Sequence, residues 1–366
     1  MMKKYRVIQW GVGYTGLSAL RYIVNNPKLE LVGIKCFTGA KVGNTSRELC
    51  GHGAVGGPRA TRDIGDLLAL KADCVVFMPR DALDDPSVPG GPSEEWLRDM
   101  VAILESGTDV VTSLCTATHW KQMRHPQAFL DRINAACFKG GTTVSFTGFD
   151  PGYSTDYLAF TLAGAVGDVT QIRTWEILEY SDYPVNEPLT ALGFGVDPKS
   201  MSATGLGTIR STWGGAVHLL GESMGTPIEE LKVEAEVYVS PKTFSTPRGF
   251  TVKEGTVGAY WFKVIGIVNG KERYIINHVT RMSWEMAPTW PMLGNDGGYS
   301  IEIDAYPPLR ADLPMALAGG TGSAFADAMA MGAARCVNSI EAVVTATPGY
   351  KTYLDLQPVG GKYTTL

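Results

Sequence analysis

One short stretch near the N-terminus limits the fold of this chain more than any other. An apolar run from Tyr5 ends in the pattern G-x-G-x-x-G, formed by Gly11, Gly13 and Gly16, and an amphipathic segment over residues 17–24 follows. In such a strand–turn–helix, the first glycine allows a tight turn and the second lets a pyrophosphate approach the backbone. The third lets the helix pack closely on the strand. The stretch therefore predicts a dinucleotide-binding site.

Strand and helix patterns alternate over the first half of the chain. The strand patterns lie at residues 5–9, 29–36, 73–78, 109–113 and 142–146, with helix patterns between them. This alternation is typical of an α/β fold with a doubly wound parallel sheet, in which ligands bind at the carboxyl ends of the strands. We therefore predict a Rossmann domain over residues 1–150.

The end of the second strand bears on the choice of cofactor. An acid that binds the ribose 2′-hydroxyl of NAD is expected about 20 residues after the glycines. Cys36 stands there, and Lys35 and Lys41 are nearby, which favours NADP(H) over NAD(H). The predicted cofactor-binding residues are Gly11, Val12, Gly13, Tyr14, Thr15, Gly16, Lys35, Cys36, Thr38, Lys41, Met78, Pro79, Arg80, Ser113, Leu114, Cys115 and Asp150.

The second half of the chain has a different pattern. Apolar and polar residues alternate over residues 231–239 and 299–304, which indicates half-exposed strands, and Asn269-Gly270 predicts a two-residue hairpin turn. We predict an α+β domain over residues 151–318, with an open antiparallel or mixed sheet that contacts the substrate and a second subunit. A helix over residues 320–345, with an apolar stripe, is expected to return to the Rossmann domain.

Composition argues against several classes of partner. The net charge of −5 disfavours nucleic acid or an anionic membrane, and no apolar run approaches the ~20 residues that span a bilayer. The N-terminus lacks the apolar core of a signal peptide. The six cysteines include no C-x-x-C pair, which favours reduced thiols over a disulfide framework or a zinc site. We expect a cytoplasmic protein without a metal that acts on a small molecule.

Three stretches together resemble one protein family. They are the glycine pattern at Gly11–Gly16, the run TGFDPGY at residues 147–153, and the C-terminal segment over residues 337–356. They are similar to proteins with a dihydrodipicolinate-reductase-like N-terminal domain, among them 2,4-diaminopentanoate dehydrogenase and the native amine dehydrogenases. The resemblance implies a Rossmann domain, an open-sheet substrate domain, homodimers through that sheet, and NAD(P)H-dependent reduction of a C=O or C=N bond.

Two departures from the family pattern affect the expected reaction. The chain lacks the His-His pair and the Lys-x-Asp-Ala-Pro-Ser-Gly-Thr stretch of true dihydrodipicolinate reductases. The amine dehydrogenases carry a glutamate shortly after the strand that here ends near Thr112, but residues 113–120 contain none, and Cys115 or Thr116 takes its place. We therefore predict hydride transfer to or from the C=O/CH–OH carbon of a bulky, fairly hydrophobic molecule. Two alternatives stay open: an amine dehydrogenase or imine reductase, and a non-catalytic dinucleotide-binding sensor.

The reaction also needs a proton donor and a substrate pocket. His119 is the first candidate because it follows a sheet strand and an imidazole titrates near neutral pH. Thr116 is a candidate for substrate contact, and Tyr153 for proton donation, since the resemblance implies that residues 150–153 lie near the nicotinamide. The predicted substrate-binding residues, for which a core or dimer interface is the alternative, are Trp120, Trp175, Glu176, Phe194, Trp213, Trp284 and Trp290.

Overall fold

The computed structural model describes residues 4–79, 94–115, 121, 126–184, 186–200 and 203–361. Its elements in chain order are β1 (Tyr5–Trp10), α1 (Tyr14–Asn25), β2 (Leu29–Lys35), α2 (Ser46–Cys50), β3 (Ala60–Thr61), α3 (Ile64–Ala69), β4 (Cys74–Phe77), α4 (Glu94–Glu105), β5 (Asp109–Thr112), α5 (Pro126–Gly140), β6 (Thr143–Phe146), α6 (Tyr157–Ala163), β7 (Gly167–Glu179), α7 (Glu187–Leu192), α8 (Ala203–Ser223), β8 (Glu230–Val239), β9 (Phe244–Ser245), β10 (Thr251–Val252), β11 (Val257–Val268), β12 (Lys271–Arg281), β13 (Gly298–Tyr306), β14 (Leu309–Pro314), α9 (Ala324–Val344) and β15 (Gly349–Lys351). The chain divides into two compact units. The first takes in the described residues up to Phe149 together with those from Met329 onward, and the second runs from Asp150 to Ala328.

The first unit is a seven-stranded sheet in the order β15-β6-β5-β4-β1-β2-β3. Every neighbouring pair of strands is parallel. The central strand β4 is buried at all four positions, as the apolar run Cys74–Phe77 requires when helices cover both faces of a parallel sheet. The predicted α/β fold with a doubly wound parallel sheet is confirmed.

Helices from distant parts of the sequence cover the two faces of this sheet. On one face α4 and α5 pack on the strands, with Met100 and Ile133 fully buried. On the other face α1 and α9 pack on β1, β4 and β5, and α9 contributes Cys336, Ile340 and Val343 to the core. The apolar stripe expected on the C-terminal helix therefore packs on one face of the sheet in the first unit.

The second unit is built on a six-stranded sheet in the order β14-β13-β7-β12-β11-β8. Strands β7 and β12 are parallel and the other neighbours are antiparallel, so the predicted mixed sheet is confirmed. Asn269 and Gly270 form the turn between β11 and β12 with φ angles of 51° and 68°, the left-handed values that a type I′ hairpin turn needs. Helix α8 packs on β8, β11 and β12.

Two further observations concern the helices and the cysteines. Among the helices of the described residues, none is long and apolar enough to cross a membrane. All six cysteines are free thiols, and Cys36, Cys74, Cys137 and Cys336 are buried.

A buried carboxylate in the first unit makes its stability depend on pH. Burial, helped by the charge of Asp73, raises the pKa of Asp109 to about 6, although the backbone N–H of Thr143 donates to its Oδ1 at 2.6 Å. In the unfolded chain the pKa is about 4, so between these values the folded protein holds a proton that the unfolded chain has lost. The stabilising contribution of this proton is therefore present below about pH 4 and is lost as the pH rises through about 6.

We expect the Asp109→Asn variant to lose less stability than the wild type between pH 5 and pH 7, by about 1 to 2 kcal/mol. Asparagine keeps an acceptor for the Thr143 N–H but has no proton to lose. The measurement is urea unfolding at each pH, with the exposed helix residue Asp131→Asn as the control. An Asp109→Asn curve parallel to the wild-type curve would contradict the assignment.

Candidate functional site

The turn between β1 and α1 has no space for side chains at two of its glycines. Gly11 has a φ of 94°, and a Cβ atom there would lie 2.2 Å from the carbonyl oxygen of Met78. A Cβ atom on Gly16 would lie 2.1 Å from the carbonyl oxygen of Gly11. The buried amide of Gln9 donates to that same carbonyl at 2.8 Å. These contacts hold the turn tightly between the strand and the helix.

Gly13 lies at the N-terminus of α1 and differs from its neighbours. No atom lies within 4 Å of the position that its Cβ would take, and no side chain caps the helix there. The first turn of α1 contains no acidic residue, so the positive end of the helix dipole is not neutralised from within the turn. An exposed glycine at an uncapped helix N-terminus fits a pyrophosphate group, which accepts hydrogen bonds from backbone N–H groups.

A cavity of about 450 Å³ lies at the carboxyl ends of β2 and β4 in the same unit. It is lined by Lys35, Phe37, Arg62, Ile64, Pro79, Glu95, Trp96, Arg98 and Asp99. Lys35 is 6% exposed, and its Nζ donates to the carbonyl oxygens of Arg62 at 3.0 Å and Cys36 at 3.4 Å. Arg62 and Arg98 are exposed, so these two guanidinium groups are better placed than Lys35 to meet an anionic ligand.

Of the other residues predicted to bind cofactor, Asp150 lies in the second unit and the described remainder lie in the first. Lys41 donates from Nζ to the carbonyl oxygen of Val12 at 2.5 Å, which ties the loop after β2 to the glycine turn. The remaining predicted positions follow strands: Cys36 (buried) and Thr38 (exposed) after β2, Met78 and Pro79 after β4, and Ser113, Leu114 and Cys115 after β5. Tyr14 and Thr15 begin α1. Arg80 lies outside the described residues.

The second unit contains a row of polar and aromatic side chains across its sheet. His278 on β12 pairs with Phe262 on β11 and with Glu176 on β7, and Glu176 pairs with Tyr299 on β13. Directly paired residues point to the same face of a sheet, so these four side chains meet side by side. The Phe262 ring stacks on the His278 ring at 4.7 Å, and Trp213 from α8 lies 4.4 Å from it.

Asp150, His278 and Glu176 form what we call the acid–base cluster. The His278 Nε2 atom lies 2.5 Å from Asp150 Oδ2, and its Nδ1 atom lies 3.3 Å from Glu176 Oε1. Trp213 Nε1 donates to Asp150 Oδ2 at 3.3 Å. Two hydroxyl groups donate to Glu176, Tyr180 to Oε1 at 2.6 Å and Tyr299 to Oε2 at 2.7 Å. The three side chains of the cluster are 1% to 4% exposed.

Burial and mutual charge change the pKa of each member of the acid–base cluster. Burial favours the neutral form of Asp150, but the charge of His278 and hydrogen bonds to it prevail and hold its pKa below the ordinary value. Burial raises the pKa of Glu176 to about 7, with Asp150 adding to the rise and His278 opposing it. Burial opposes the charged form of His278, yet Glu176 and Asp150 raise its pKa. The shifts therefore favour the charged forms of Asp150 and His278, and they bring the titration of Glu176 near neutral pH.

This arrangement suits proton transfer. The ligand atoms of the acid–base cluster lie within 4.8 Å of one another, a spacing that is also compatible with a metal ion. However, the 2.5 Å separation of His278 Nε2 and Asp150 Oδ2 is that of a hydrogen bond, and a shared proton accounts for it without a metal. The cluster can therefore take up and release protons near neutral pH.

Of the three residues predicted to be catalytic, Tyr153 lies in the described part of the chain. His119, Thr116 and Trp120 lie outside the described residues. Tyr153 lies in the segment between Asp150 and α6, half-buried, with its ring 6.0 Å from that of Tyr157. Their roles stay predictions.

The residues predicted to bind substrate fall into two groups. Glu176 and Trp213 lie together at the acid–base cluster. The ring of the buried Phe194 has its centroid 6.4 Å from that of Tyr180, which bonds to Glu176. Trp175, Trp284 and Trp290 pack around Ile177 and Val279. Because side chains alternate along β7, Trp175 and Glu176 point to opposite faces of the sheet. One substrate pocket on the sheet cannot include both groups, and the role of each group stays a prediction.

Sequence reasoning missed His278 altogether. The residue belongs to a strand, YIINHVTRM, in which Asn277 and His278 interrupt a strongly apolar run. Both are buried, at 2% and 1% exposure. A polar pair in the middle of an otherwise apolar strand is the one signal that would have pointed to it, because buried polar groups need partners.

Comparisons with known proteins agree on one group of relatives. Residues 153–361 match the family described as 2,4-diaminopentanoate dehydrogenase C-terminal domain. An amine dehydrogenase of Streptomyces virginiae is 31% identical over 363 residues, which cover 97% of each chain. The 2,4-diaminopentanoate dehydrogenase of Acetoanaerobium sticklandii is 22% identical, over 97% of this chain and 94% of that protein. The solved structure of an amine dehydrogenase from Mycobacterium smegmatis has the same fold, with a TM-score of 0.73, 16% identity, and 98% and 97% coverage.

Proposed function

The chain belongs to the 2,4-diaminopentanoate dehydrogenase C-terminal domain family and is an NAD(P)-dependent dehydrogenase, and from this premise we propose that it interconverts an amine and a carbonyl compound. In the direction of oxidation, the substrate CH–NH₂ group loses a hydride to the oxidised cofactor. Water then replaces nitrogen, giving a carbonyl compound and an ammonium ion. The similarity to an amine dehydrogenase along 97% of both chains carries the proposal.

The chemistry of the second unit is compatible with an amine. An amine substrate passes through cationic forms, which are favoured beside carboxylates. The acid–base cluster supplies two buried carboxylates next to one imidazole. The aromatic rings of Trp213 and Phe262 border it, which supports a bulky, weakly polar carbon skeleton for the substrate.

The residues of the first unit would hold the cofactor. The backbone at Gly13 and the N-terminus of α1 fit the pyrophosphate, and the cavity beside Lys35 and Arg62 fits the nucleoside end. When bound, the nicotinamide ring donates or accepts the hydride. The protein contributes orientation and proton transfer.

A second candidate is a carbonyl reductase that works without ammonia, as the sequence alone favoured. It is supported by the run over residues 113–120, which lacks the glutamate found in the amine dehydrogenases that the sequence resembles. The two candidates require different co-substrates, so one assay separates them.

The assay follows NADPH and NADH consumption with a panel of hydrophobic ketones, with and without ammonium, and identifies the product by mass spectrometry. We expect consumption that depends on ammonium and an amine as product. Consumption without ammonium, with an alcohol as product, would favour the carbonyl reductase. Tight cofactor binding with no consumption at all would favour a dinucleotide-binding sensor.

We also propose that NADP(H) is preferred over NAD(H). The support is the absence of an acid at Cys36, and the exposed guanidinium of Arg62 beside the cavity at the end of β2. The hydrogen bond from the Cys36 N–H to the carbonyl oxygen of Thr61 brings Arg62 to that strand end. A guanidinium group pairs well with a ribose 2′-phosphate.

We expect Arg62→Ala to raise the Kd of NADPH about 10-fold to 100-fold and that of NADH by less than about 3-fold, because only NADPH carries the 2′-phosphate. Cofactor titration followed by fluorescence measures both. Arg59→Ala is the matched control, since Arg59 is exposed and bonds to Gly43 but does not line the cavity. Equal weakening for both cofactors would refute the assigned contact.

We also propose a homodimer and a cytoplasmic location. The half-buried side chains of Trp175, Trp261 and Trp290 on one face of the sheet support a homodimer formed through the second unit, which light scattering can test. The six free thiols support a cytoplasmic location, which cell fractionation can test.

A further inference from the structure

We propose that the acid–base cluster works as one proton-holding unit, in which Asp150 exchanges a proton with the reacting substrate and His278 passes a compensating proton to Glu176. The inference rests on the dehydrogenase reaction proposed above, and it applies to both candidate substrates, since each needs a proton moved as well as a hydride. It assigns Asp150 as the catalytic residue and the other two as positioning residues.

The two carboxylate oxygens of Asp150 differ in their surroundings. Oδ2 is occupied by His278 Nε2 and by the indole N–H of Trp213. Oδ1 is buried and accepts no hydrogen bond of normal geometry among the described residues, although the Glu176 carboxyl group is close enough to interact with the Asp150 carboxyl group. A buried acceptor without a partner costs about 1 to 3 kcal/mol and is uncommon in folded proteins. We infer that Oδ1 is the atom that meets a substrate group or a reacting water.

At the other side of the acid–base cluster, hydrogen bonds fix the Glu176 carboxyl group in place. Both oxygens of Glu176 accept hydrogen bonds from buried hydroxyl groups, those of Tyr180 and Tyr299. His278 Nδ1 has no hydrogen bond, although Glu176 Oε1 is only 3.3 Å away. A small shift of the ring would therefore join Nδ1 to Glu176 while Nε2 stays on Asp150. The burial that raises the pKa of Glu176 to about 7 makes this carboxylate able to accept a proton at neutral pH.

Proton counts balance through one turnover. When water adds to the iminium form of the substrate, the new C–O bond forms and one proton leaves the water for Asp150 Oδ1. Asp150 then no longer stabilises a charged ring, so His278 gives its Nδ1 proton to Glu176. The cluster passes from one net negative charge to none. When the C–N bond breaks, the carbinolamine hydroxyl loses its proton to the nitrogen as the C=O bond forms. The nitrogen also takes the Asp150 proton and leaves as an ammonium ion, and Glu176 returns its proton to His278. In ketone reduction, the His278 Nε2 proton would pass through Asp150 to the oxygen as the hydride reaches carbon, and the ring would take up a proton from Glu176 or from solvent.

The groups that face His278 come from several elements. The titratable groups are those of Glu176 on β7, Tyr180 just after the end of β7, Tyr299 on β13 and Asp150 before α6. Burial raises the pKa of both tyrosines well above the usual range, so they stay protonated and act as fixed donors. The side chains of Trp213 and Phe262 are uncharged. Among these groups, therefore, only the three members of the acid–base cluster gain or lose protons near neutral pH.

The kinetic test compares three variants. We expect Asp150→Asn to lower kcat about 100-fold or more, within the usual range for general acid–base catalysis. We expect His278→Gln to lower kcat. We expect Glu176→Gln to remove the change of slope near pH 7 from the plot of log kcat against pH. The matched control is Glu179→Gln, on the same strand but the opposite face, whose profile should follow the wild type. A wild-type profile in Glu176→Gln, or a wild-type kcat in Asp150→Asn, would overturn the proposal.

A second measurement does not need turnover. The chain has five histidines, and the His278 signal in an NMR titration is identified by its loss in His278→Gln. We expect Glu176→Gln and Asp150→Asn each to lower the His278 pKa, and Glu179→Gln to leave it unchanged. An unchanged His278 pKa in Glu176→Gln overturns the proton-holding unit whatever the activity. If the wild type turns over no substrate, the proposed function fails, while a shifted His278 pKa still supports the linked unit.

Discussion

A Gly13→Ala variant should melt at the wild-type temperature and yet bind NADPH about 100-fold more weakly, a loss of about 3 kcal/mol. The backbone at Gly13 is extended, with φ −73° and ψ −164°, which alanine adopts freely. No protein atom lies within 4 Å of the new methyl group, so the folded protein has nothing to rearrange. Any weakening must therefore come from the ligand, whose pyrophosphate needs the space at this turn.

Two other glycines serve as comparisons for this result. Gly207→Ala, on α8, also places its methyl group in open space and should bind cofactor as the wild type does. Gly16→Ala should lose both stability and binding, because its methyl group would meet the Gly11 carbonyl oxygen at 2.1 Å. Calorimetric titration gives the affinities and thermal melts give the stabilities. Wild-type affinity in Gly13→Ala would show that the pyrophosphate does not lie against this turn.

The largest loss of stability is expected from Arg281→Ala. Arg281 is fully buried, and its guanidinium group donates to the carbonyl oxygens of Met286 at 3.0 Å, Ala287 at 3.2 Å and Pro291 at 3.1 Å. Removing it leaves the carbonyl groups of Met286 and Pro291 without their Arg281 donor, while Ala287 keeps the backbone N–H of Trp290. At about 1 to 3 kcal/mol for each buried unpaired group, with partial relief by water, we expect a loss of about 3 to 5 kcal/mol.

Urea unfolding followed by tryptophan fluorescence measures this effect, since Trp284 and Trp290 lie in and beside the same loop. Arg281→Lys should recover little, because one ammonium group cannot reach three acceptors as a planar fork does. Arg310→Ala is the control: its side chain is 56% exposed and pairs with acids at the surface, where an ion pair contributes about 1 kcal/mol or less. A loss in Arg281→Ala as small as that of the control would contradict the expectation.

Local patterns in the sequence predicted the architecture well because each has a local physical cause. The glycine turn works through backbone space at Gly11 and Gly16, and the hairpin works through the left-handed angles of Asn269 and Gly270. Apolar runs such as Cys74–Phe77 mark strands that are buried on both faces. None of these inferences needs knowledge of residues far along the chain.

The acid–base cluster could not be predicted in the same way. Glu176 and His278 meet because β12 pairs in parallel with β7, and Asp150, 128 residues from His278, reaches them from the segment before α6. Strand order and register are set by the packing of the whole sheet, which no short window of sequence contains. The faces of Trp175 and Glu176 were ambiguous for a related reason, since β7 is buried in the middle of its sheet and lacks clear alternation.

The place of α9 in the chain has a consequence for how the protein is made. The helix covers Val7, Val76 and Val111 in the first unit, but it is encoded after the whole of the second unit. A ribosome that adds about 5 to 20 residues each second needs about 10 to 40 s to make the intervening segment. Throughout that time the apolar face of β1, β4 and β5 waits for its partner on the nascent chain. We therefore expect the first unit to complete its fold only after α9 has left the ribosomal tunnel.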